Sequence, residues 1–246
     1  MKKHITFPKP PIQEALIDLH VGFPHDYNVS HFEEFHDLVR DRFPDKQKKM
    51  AFEAKFQIVE SKLTSDSAPA KPLGYLFRSN KENKIVQARR DGFTFNKLKP
   101  YENWEAFKKE ASELWNKYYE KYKPDKINRV ALRYINKIEI PLPMKDFNDY
   151  ILTVPAIPDG LPQSLSSYLL RIEIPNPEIN ATAIITQTFD QPMPNKLPFI
   201  FDIDVFIQTN FTDNNAEIWN MFEKLRDFKN DIFSKNITEK TRELFK

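Results

Sequence analysis

The chain of 246 residues contains no cysteine. This absence excludes disulfide bonds, zinc-thiolate sites, iron-sulfur clusters and thiol nucleophiles. It also fits a reducing compartment, because thiol-free proteins need no oxidising environment to stay folded. The sequence therefore favours a cytoplasmic location.

Glycine is scarce as well, with four residues in the whole chain and none in a Gly-x-Gly or Walker arrangement. A nucleotide cradle needs such glycines because the backbone must approach the phosphates closely. No serine occupies a Gly-x-Ser-x-Gly elbow. His31 and His36 are five residues apart, not the four that place two metal ligands on one helix face. The sequence thus predicts no metal site and no cofactor.

Long apolar runs are missing, since nowhere do 18 apolar residues follow one another, and we therefore expect no membrane span. The basic N-terminus leads into prolines at 8, 10 and 11 instead of an apolar segment, so we expect no signal peptide. The 37 basic and 35 acidic side chains are interspersed and give a formal charge of only +2. Nucleic acid is therefore an unexpected partner.

Aromatic residues are abundant, with 21 Phe, 9 Tyr and 3 Trp, and they predict a core dominated by large rings. Groups of strands followed by one long helix occur twice along the chain, at about 52 to 122 and 128 to 234. A doubly wound parallel sheet needs a helix after nearly every strand. Here several strands follow one another before a helix, so that fold is disfavoured. We expect an α+β fold of antiparallel sheets with long amphipathic helices packed on one face. Residues 1–124 and 125–246 are two similar fused halves of one compact unit in this interpretation.

Local periodicity predicts several individual elements. Gln13 to Val21 alternates between two faces and Asn128 to Ile140 has similar composition, so both are expected to be strands. Tyr101 to Tyr122 has apolar residues at steps of three and four, which is typical of an amphipathic helix. That spacing predicts four residues buried against a sheet: Trp104, Phe107, Leu114 and Trp115. Asn214 is expected to cap a second long helix.

Two segments are predicted to be irregular. Ser61 to Pro72 is rich in Ser, Asp, Ala and Pro, which favours a loop. Lys46 to Lys49 carries three lysines and is expected to be a solvated loop. The alternative is a nucleic-acid contact, although no aromatic residues are interleaved there for stacking.

Several stretches in order along the chain carry a resemblance to a known family. The chain resembles a sporadically distributed family of uncharacterised bacterial proteins that open with a Pro-Pro-Ile-x-Glu-Ala motif. The matching stretches are Pro10 to Ala15, Gly74 to Ser79, Val86 to Phe93, Pro100 to Trp104, Leu132 to Asn136 and Leu225 to Thr238. The resemblance implies no reaction or ligand. The patchy distribution of the family suggests mobile or defence-linked gene neighbourhoods.

Two pairs of acidic or basic residues share a strand face. Asp18 and His20, with Glu14, have the spacing of an acid–base group. A solvated or sheet-packing polar face also explains them, and we favour that interpretation. Asp202 and Asp204 have a spacing that suits Mg²⁺. Cross-strand ion pairs with residues such as Arg133 explain these aspartates without a metal, and we favour that interpretation.

Three polar residues are the predicted ligand-binding site: Glu14, Arg89 and Arg133. We expect them to converge on the polar side of the sheet, where two arginines facing one carboxylate leave positive charge for an anion. Arg89 has an alternative role in pairing with Glu14 or Glu53.

No reactive constellation is visible, so the sequence favours a non-catalytic binding or interaction protein. The alternative is an enzyme or sensor that acts on an anionic small molecule or nucleic acid. Its residues are Arg89, Arg133 and the carboxylate of Glu14 or Asp202. The expected partner is an unknown protein or an anionic small molecule, with a homodimer as one option.

Overall fold

A computed structural model of the chain describes residues 6–24, 27–51, 54–59, 62–67, 71–191, 193–211 and 215–246. The strands within these ranges are β1 (Ile12–Gly22), β2 (Asp45–Ala51), β3 (Ala54–Val59), β4 (Lys62–Ser67), β5 (Lys71–Ser79), β6 (Lys84–Arg89), β7 (Gly92–Leu98), β8 (Lys126–Pro141), β9 (Leu169–Asn176), β10 (Ala181–Phe189) and β11 (Lys196–Phe211). The helices are α1 (His36–Val39), α2 (Trp104–Tyr122), α3 (Asn215–Asn236) and α4 (Glu239–Glu243), with 3-10 turns at Val29–Phe35 and Phe147–Asp149.

Among the described residues, nine strands form one antiparallel sheet in the order β2-β5-β6-β7-β1-β8-β11-β10-β9, and β3 and β4 pair in a separate two-stranded sheet. The α+β prediction with an antiparallel sheet is therefore confirmed. In the N-terminal half β1 pairs with β7, and in the C-terminal half β8 pairs with β11. β1 and β8 pair with each other, so the sheet continues across the boundary between the halves.

The core begins with the alternation in β1, because successive side chains of a strand point to opposite faces of the sheet. Ala15, Ile17 and Leu19 are fully buried. The paired residues Phe95 and Leu132 lie on the same face as Ile17. We call this side of the sheet the apolar face and the side of Asp18 the polar face.

Helix α2 starts at Trp104 because the Asn103 side chain accepts a hydrogen bond of 2.8 Å from the Ala106 backbone N–H. It ends at Tyr122, because the next residue, Lys123, adopts a left-handed conformation (φ 43°) that stops the helix. The Trp115 and Tyr118 rings contact Phe93 at centroid distances of 5.8 and 5.7 Å. The four residues predicted to be buried are buried: Trp104, Phe107, Leu114 and Trp115.

Helix α3 packs on β8 and β11 in the second half, where Phe233 stacks on Phe201 at 5.8 Å. Its residues Ile218, Phe222 and Leu225 are fully buried. The expected cap, Asn214, lies outside the described residues. No helix in the described ranges is long and apolar enough to cross a membrane.

Both segments predicted to be irregular contain strands. Lys46 to Lys49 belongs to β2, which lies at the edge of the nine-stranded sheet and pairs with β5. Ser61 to Pro72 contains β4 and the start of β5. Both loop predictions were wrong. For β2 the reason is that an edge strand needs little apolar surface, and lysines there discourage pairing with other molecules. β4 instead forms a hairpin with β3.

Candidate functional sites

Asp18 is the centre of an ion-pair network on the polar face. Its carboxylate accepts a hydrogen bond of 3.0 Å from Nη2 of Arg89 and one of 3.2 Å from Nη1 of Arg129. The Nε2 atom of His20 lies 2.9 Å away. Burial raises the pKa of Asp18, but the His20 hydrogen bond and the Arg89 charge outweigh it and hold the pKa well below its ordinary value. Asp18 is therefore an ionised partner of its neighbours and a poor proton acceptor, as expected of a polar sheet face.

The two aspartates of β11 are also paired across strands. Asp202 accepts two hydrogen bonds from Arg133, at 2.9 and 2.5 Å, and Asp204 accepts one of 3.2 Å from Arg129. Burial raises the pKa of Asp204 above its ordinary value despite the opposing charges of Arg129 and Arg133. The cross-strand ion pairs predicted for both aspartates are thus confirmed.

Arg89 and Arg133 line the same depression of about 220 Å³ on the polar face. Glu14 is not among its lining residues, and its carboxylate accepts a hydrogen bond of 2.6 Å from Asn96. Arg89 pairs with Asp18 and with Asp91, whose Oδ1 is 2.8 Å from Nε. The structure therefore brings the two arginines together but gives each its own carboxylate, and the alternative pairing of Arg89 with Glu14 was wrong. Glu53 lies outside the described residues.

The depression also contains Arg129, which the sequence did not single out, and Lys49, which was expected in a solvated loop. Arg129 and Arg133 are four residues apart in β8 and therefore lie on the same face of the sheet. Strand periodicity alone predicts that Arg129 is near Arg133. The Lys49 amine donates a hydrogen bond to Gln87. Among the described residues no carboxylate lies within ion-pair distance of this amine. Burial, together with the Arg89 charge, lowers the pKa of Lys49.

A second cavity, of about 270 Å³, lies between the N-terminal segment, the start of α2, β8 and α3. We call it the aromatic cavity and define it by Tyr101, Trp104, Tyr134, Arg226 and Lys229, all of which line it. Pro10 and Pro11 form part of its wall. Its position is fixed by the packing of both long helices, so no single segment of the sequence encodes it.

The Tyr101 and Tyr134 hydroxyls lie 2.7 Å apart in this cavity and share a hydrogen bond. Burial raises the pKa of both phenols above their ordinary values. Both are therefore neutral at physiological pH, and each presents a hydroxyl that can donate or accept a hydrogen bond.

Lys229 places its amine 3.9 Å from the centroid of the Tyr134 ring. Among the described residues this amine has no hydrogen-bond or ion-pair partner. Burial, and secondarily the charge of Arg226, lowers the pKa of Lys229 to about 7. Arg226 itself lies 3.7 Å from Glu105 and 3.6 Å from Glu223, and its guanidinium stacks over Trp104.

Lys229 was not among the residues predicted from the sequence, although its position carried a signal. Helical spacing places residue 229 four positions after Leu225 and three before Ile232, on the stripe that is buried. A lysine on an otherwise apolar stripe is an exception to the pattern, and its environment had to come from the structure.

No family model matches the chain, and neither the curated proteins nor the solved structures include a match to it.

Proposed function

We propose that this protein binds a small organic molecule in the aromatic cavity. The observation that carries the proposal is the amine of Lys229, which lines this cavity without a described ion-pair or hydrogen-bond partner. A cation removed from water without a partner is costly, so a bound group that satisfies it gains affinity. Concave sites with apolar walls and a few convergent polar groups are the usual places for small ligands.

The lining indicates the chemistry of the ligand. The rings of Tyr101, Trp104 and Tyr134 favour a flat, apolar body. The amine of Lys229 favours a carboxylate or carbonyl oxygen at one end of that body. Benzoate has both features and is small enough to serve as a probe for a cavity of about 270 Å³.

The experiment is an isothermal calorimetric titration of the full chain with benzoate. We expect saturable binding to the wild type and none to Ser234→Trp, because Ser234 lines the cavity and an indole there fills it. Lys235→Trp is the matched control, since Lys235 is the next residue of α3 and is exposed. Equal binding by both variants, with their folding confirmed by circular dichroism, would place the probe elsewhere and contradict the proposal.

A second candidate is an anion site at the depression on the polar face, formed by Arg89, Arg133 and Lys49 with Glu14 beside it. The observation that favours it is Lys49, which lines the depression together with five other charged residues and has no described carboxylate within ion-pair distance. In this candidate the ligand is a phosphate or carboxylate, and the protein is a sensor or an enzyme for an anionic molecule.

We also propose the finer organisation expected from the sequence, two similar fused halves with both long helices on the apolar face. Three observations support it: the equivalent pairings β1 with β7 and β8 with β11, the contact of Trp115 with Phe93, and the contact of Phe233 with Phe201. A protein partner, including a second copy of this chain, is part of the proposal. The edge strand β9 supports it, because Leu169 is 73% exposed there. The family resemblance supports an accessory role at mobile or defence-linked loci.

A further inference from the structure

We propose that Lys229 is a nucleophile that forms an imine with the carbonyl carbon of a small aldehyde or 2-oxo acid held in the aromatic cavity. This inference rests on the proposed function and deepens it. It assigns a covalent role to a residue of α3, and it names carbonyl compounds as the ligand class.

The position of the Lys229 amine favours nucleophilic attack. The Lys229 side chain lines the cavity, and its amine lies over the face of Tyr134 instead of beside a carboxylate. An ion-paired lysine is held in its protonated form and has no lone pair for attack. Lys229 has no described ion pair that would hold it in this form.

The neighbouring charge supplies the second argument. Arg226 precedes Lys229 by one helical turn and lines the same cavity. A lysine becomes nucleophilic at neutral pH when it is desolvated or placed beside another cation. Both conditions act on Lys229, and together they lower its pKa to about 7, so a large fraction of the amine is neutral at that pH.

The reaction balances within the cavity and needs no oxidant or reductant. The neutral amine attacks the carbonyl carbon, and a carbon–nitrogen single bond forms as the carbonyl π bond breaks. Dehydration then forms the C=N bond, and the oxygen leaves as water with the two hydrogens that the amine carried. Hydroxyls of Tyr101 and Tyr134 lie in the same cavity and offer hydrogen bonds to that oxygen.

The test is reductive trapping of the full chain with benzaldehyde and cyanoborohydride at pH 7, followed by peptide mass mapping. We expect Lys229 to be labelled at least about tenfold faster than Lys224, because an ordinary lysine with a pKa near 10.4 is almost entirely protonated at this pH. Lys224 lies on the same helix and is exposed, so it is the internal control. Labelling of Lys229 no faster than Lys224 would overturn the inference. A parallel arm with pyruvate distinguishes a 2-oxo acid from a simple aldehyde.

Variants and competition complete the experiment. Lys229→Arg keeps the positive charge but has no imine-forming amine, so the rapid labelling is expected to vanish. Should that variant fail to fold, benzoate in excess over the wild type is expected to slow labelling of Lys229 at least fivefold and to leave Lys224 unchanged.

The failures are distinguishable. Benzoate binding without fast trapping at Lys229 overturns the imine and leaves the proposed function intact. Fast trapping that persists unchanged in folded Ser234→Trp overturns the inference, since the reactive amine would then lie outside the cavity.

Discussion

The amine of Lys229 and the ring of Tyr134 are 3.9 Å apart, an arrangement in which the π face of a tyrosine takes the place of a carboxylate. Cation–π attraction offsets part of the cost of removing an ammonium from water. It does not offset all of that cost, because the pKa of Lys229 falls to about 7. This pair connects α3 to β8 and makes the cavity chemically distinct from the ion-paired polar face.

Replacing the lysine is expected to stabilise the protein most at low pH. Between pH 7 and about 10.5 the unfolded chain binds the Lys229 proton and the folded chain does not, so wild-type stability rises with pH there. Below pH 7 the full cost of burying the ammonium is present. Lys229→Met is therefore expected to gain about 1 to 3 kcal/mol at pH 6 and progressively less towards pH 10. Denaturant unfolding across this pH range measures it, and Lys224→Met should show no such trend.

The affinity for benzoate is expected to depend on pH in the opposite sense from imine formation. A carboxylate binds the protonated amine best, so wild-type affinity should fall by about tenfold as the pH rises from 6 to 9. Calorimetric titrations at several pH values check this, and Lys229→Met should show a flat profile. An affinity that rises with pH in the wild type would mean that Lys229 does not face the carboxylate.

Trp115 is fully buried against Phe93 and Tyr118. Trp115→Ala removes this ring from the core and is expected to cost about 3 to 5 kcal/mol of unfolding free energy. Glu113→Ala, an exposed change on the same helix, should stay within about 0.5 kcal/mol. A loss under about 1 kcal/mol for the tryptophan, measured by urea unfolding, would contradict the packing described here.

Arg89 is 5% exposed and is a main partner of Asp18. Arg89→Ala leaves a buried carboxylate with fewer donors and is expected to destabilise the fold by about 3 to 5 kcal/mol. Arg40→Ala is the control, because Arg40 is largely exposed and its contact with Asp37 is 3.8 Å long. Thermal unfolding that does not distinguish the two variants would show that the network on the polar face carries little stability.

Lys49 offers a cleaner test of the anion site, because the hydrogen bond to Gln87 is the one contact of its amine among the described residues. Millimolar phosphate is expected to raise the melting temperature of the wild type by a few degrees and to leave Lys49→Met unchanged. The control is Lys46→Met, which alters an exposed lysine of the same strand. If phosphate has no effect on the wild type, Arg89 and Arg133 act only in structural ion pairs with Asp18, Asp91 and Asp202.

The sequence by itself determined the elements whose signal is local. The alternation of β1 and the helical spacing of α2 follow from backbone periods of 2 and 3.6, which any short window displays. The same local patterns did not predict the charged strand β2 or the strand residues between Ser61 and Pro72. For β2, an edge strand, the stabilising backbone hydrogen bonds go to β5, which follows only after two further strands of the chain.

For the sites, the sequence determined that charged residues share strand faces, and so the pairing of Arg133 with Asp202 was predictable. Only the tertiary structure decided that Arg89 reaches Asp18 across the sheet instead of Glu14, because strand register sets which side chains meet. The protonation state of Lys229 likewise depends on tertiary packing. Its pKa depends on water excluded by α2, β8 and the N-terminal segment, and desolvation by such distant elements leaves no mark in the local sequence.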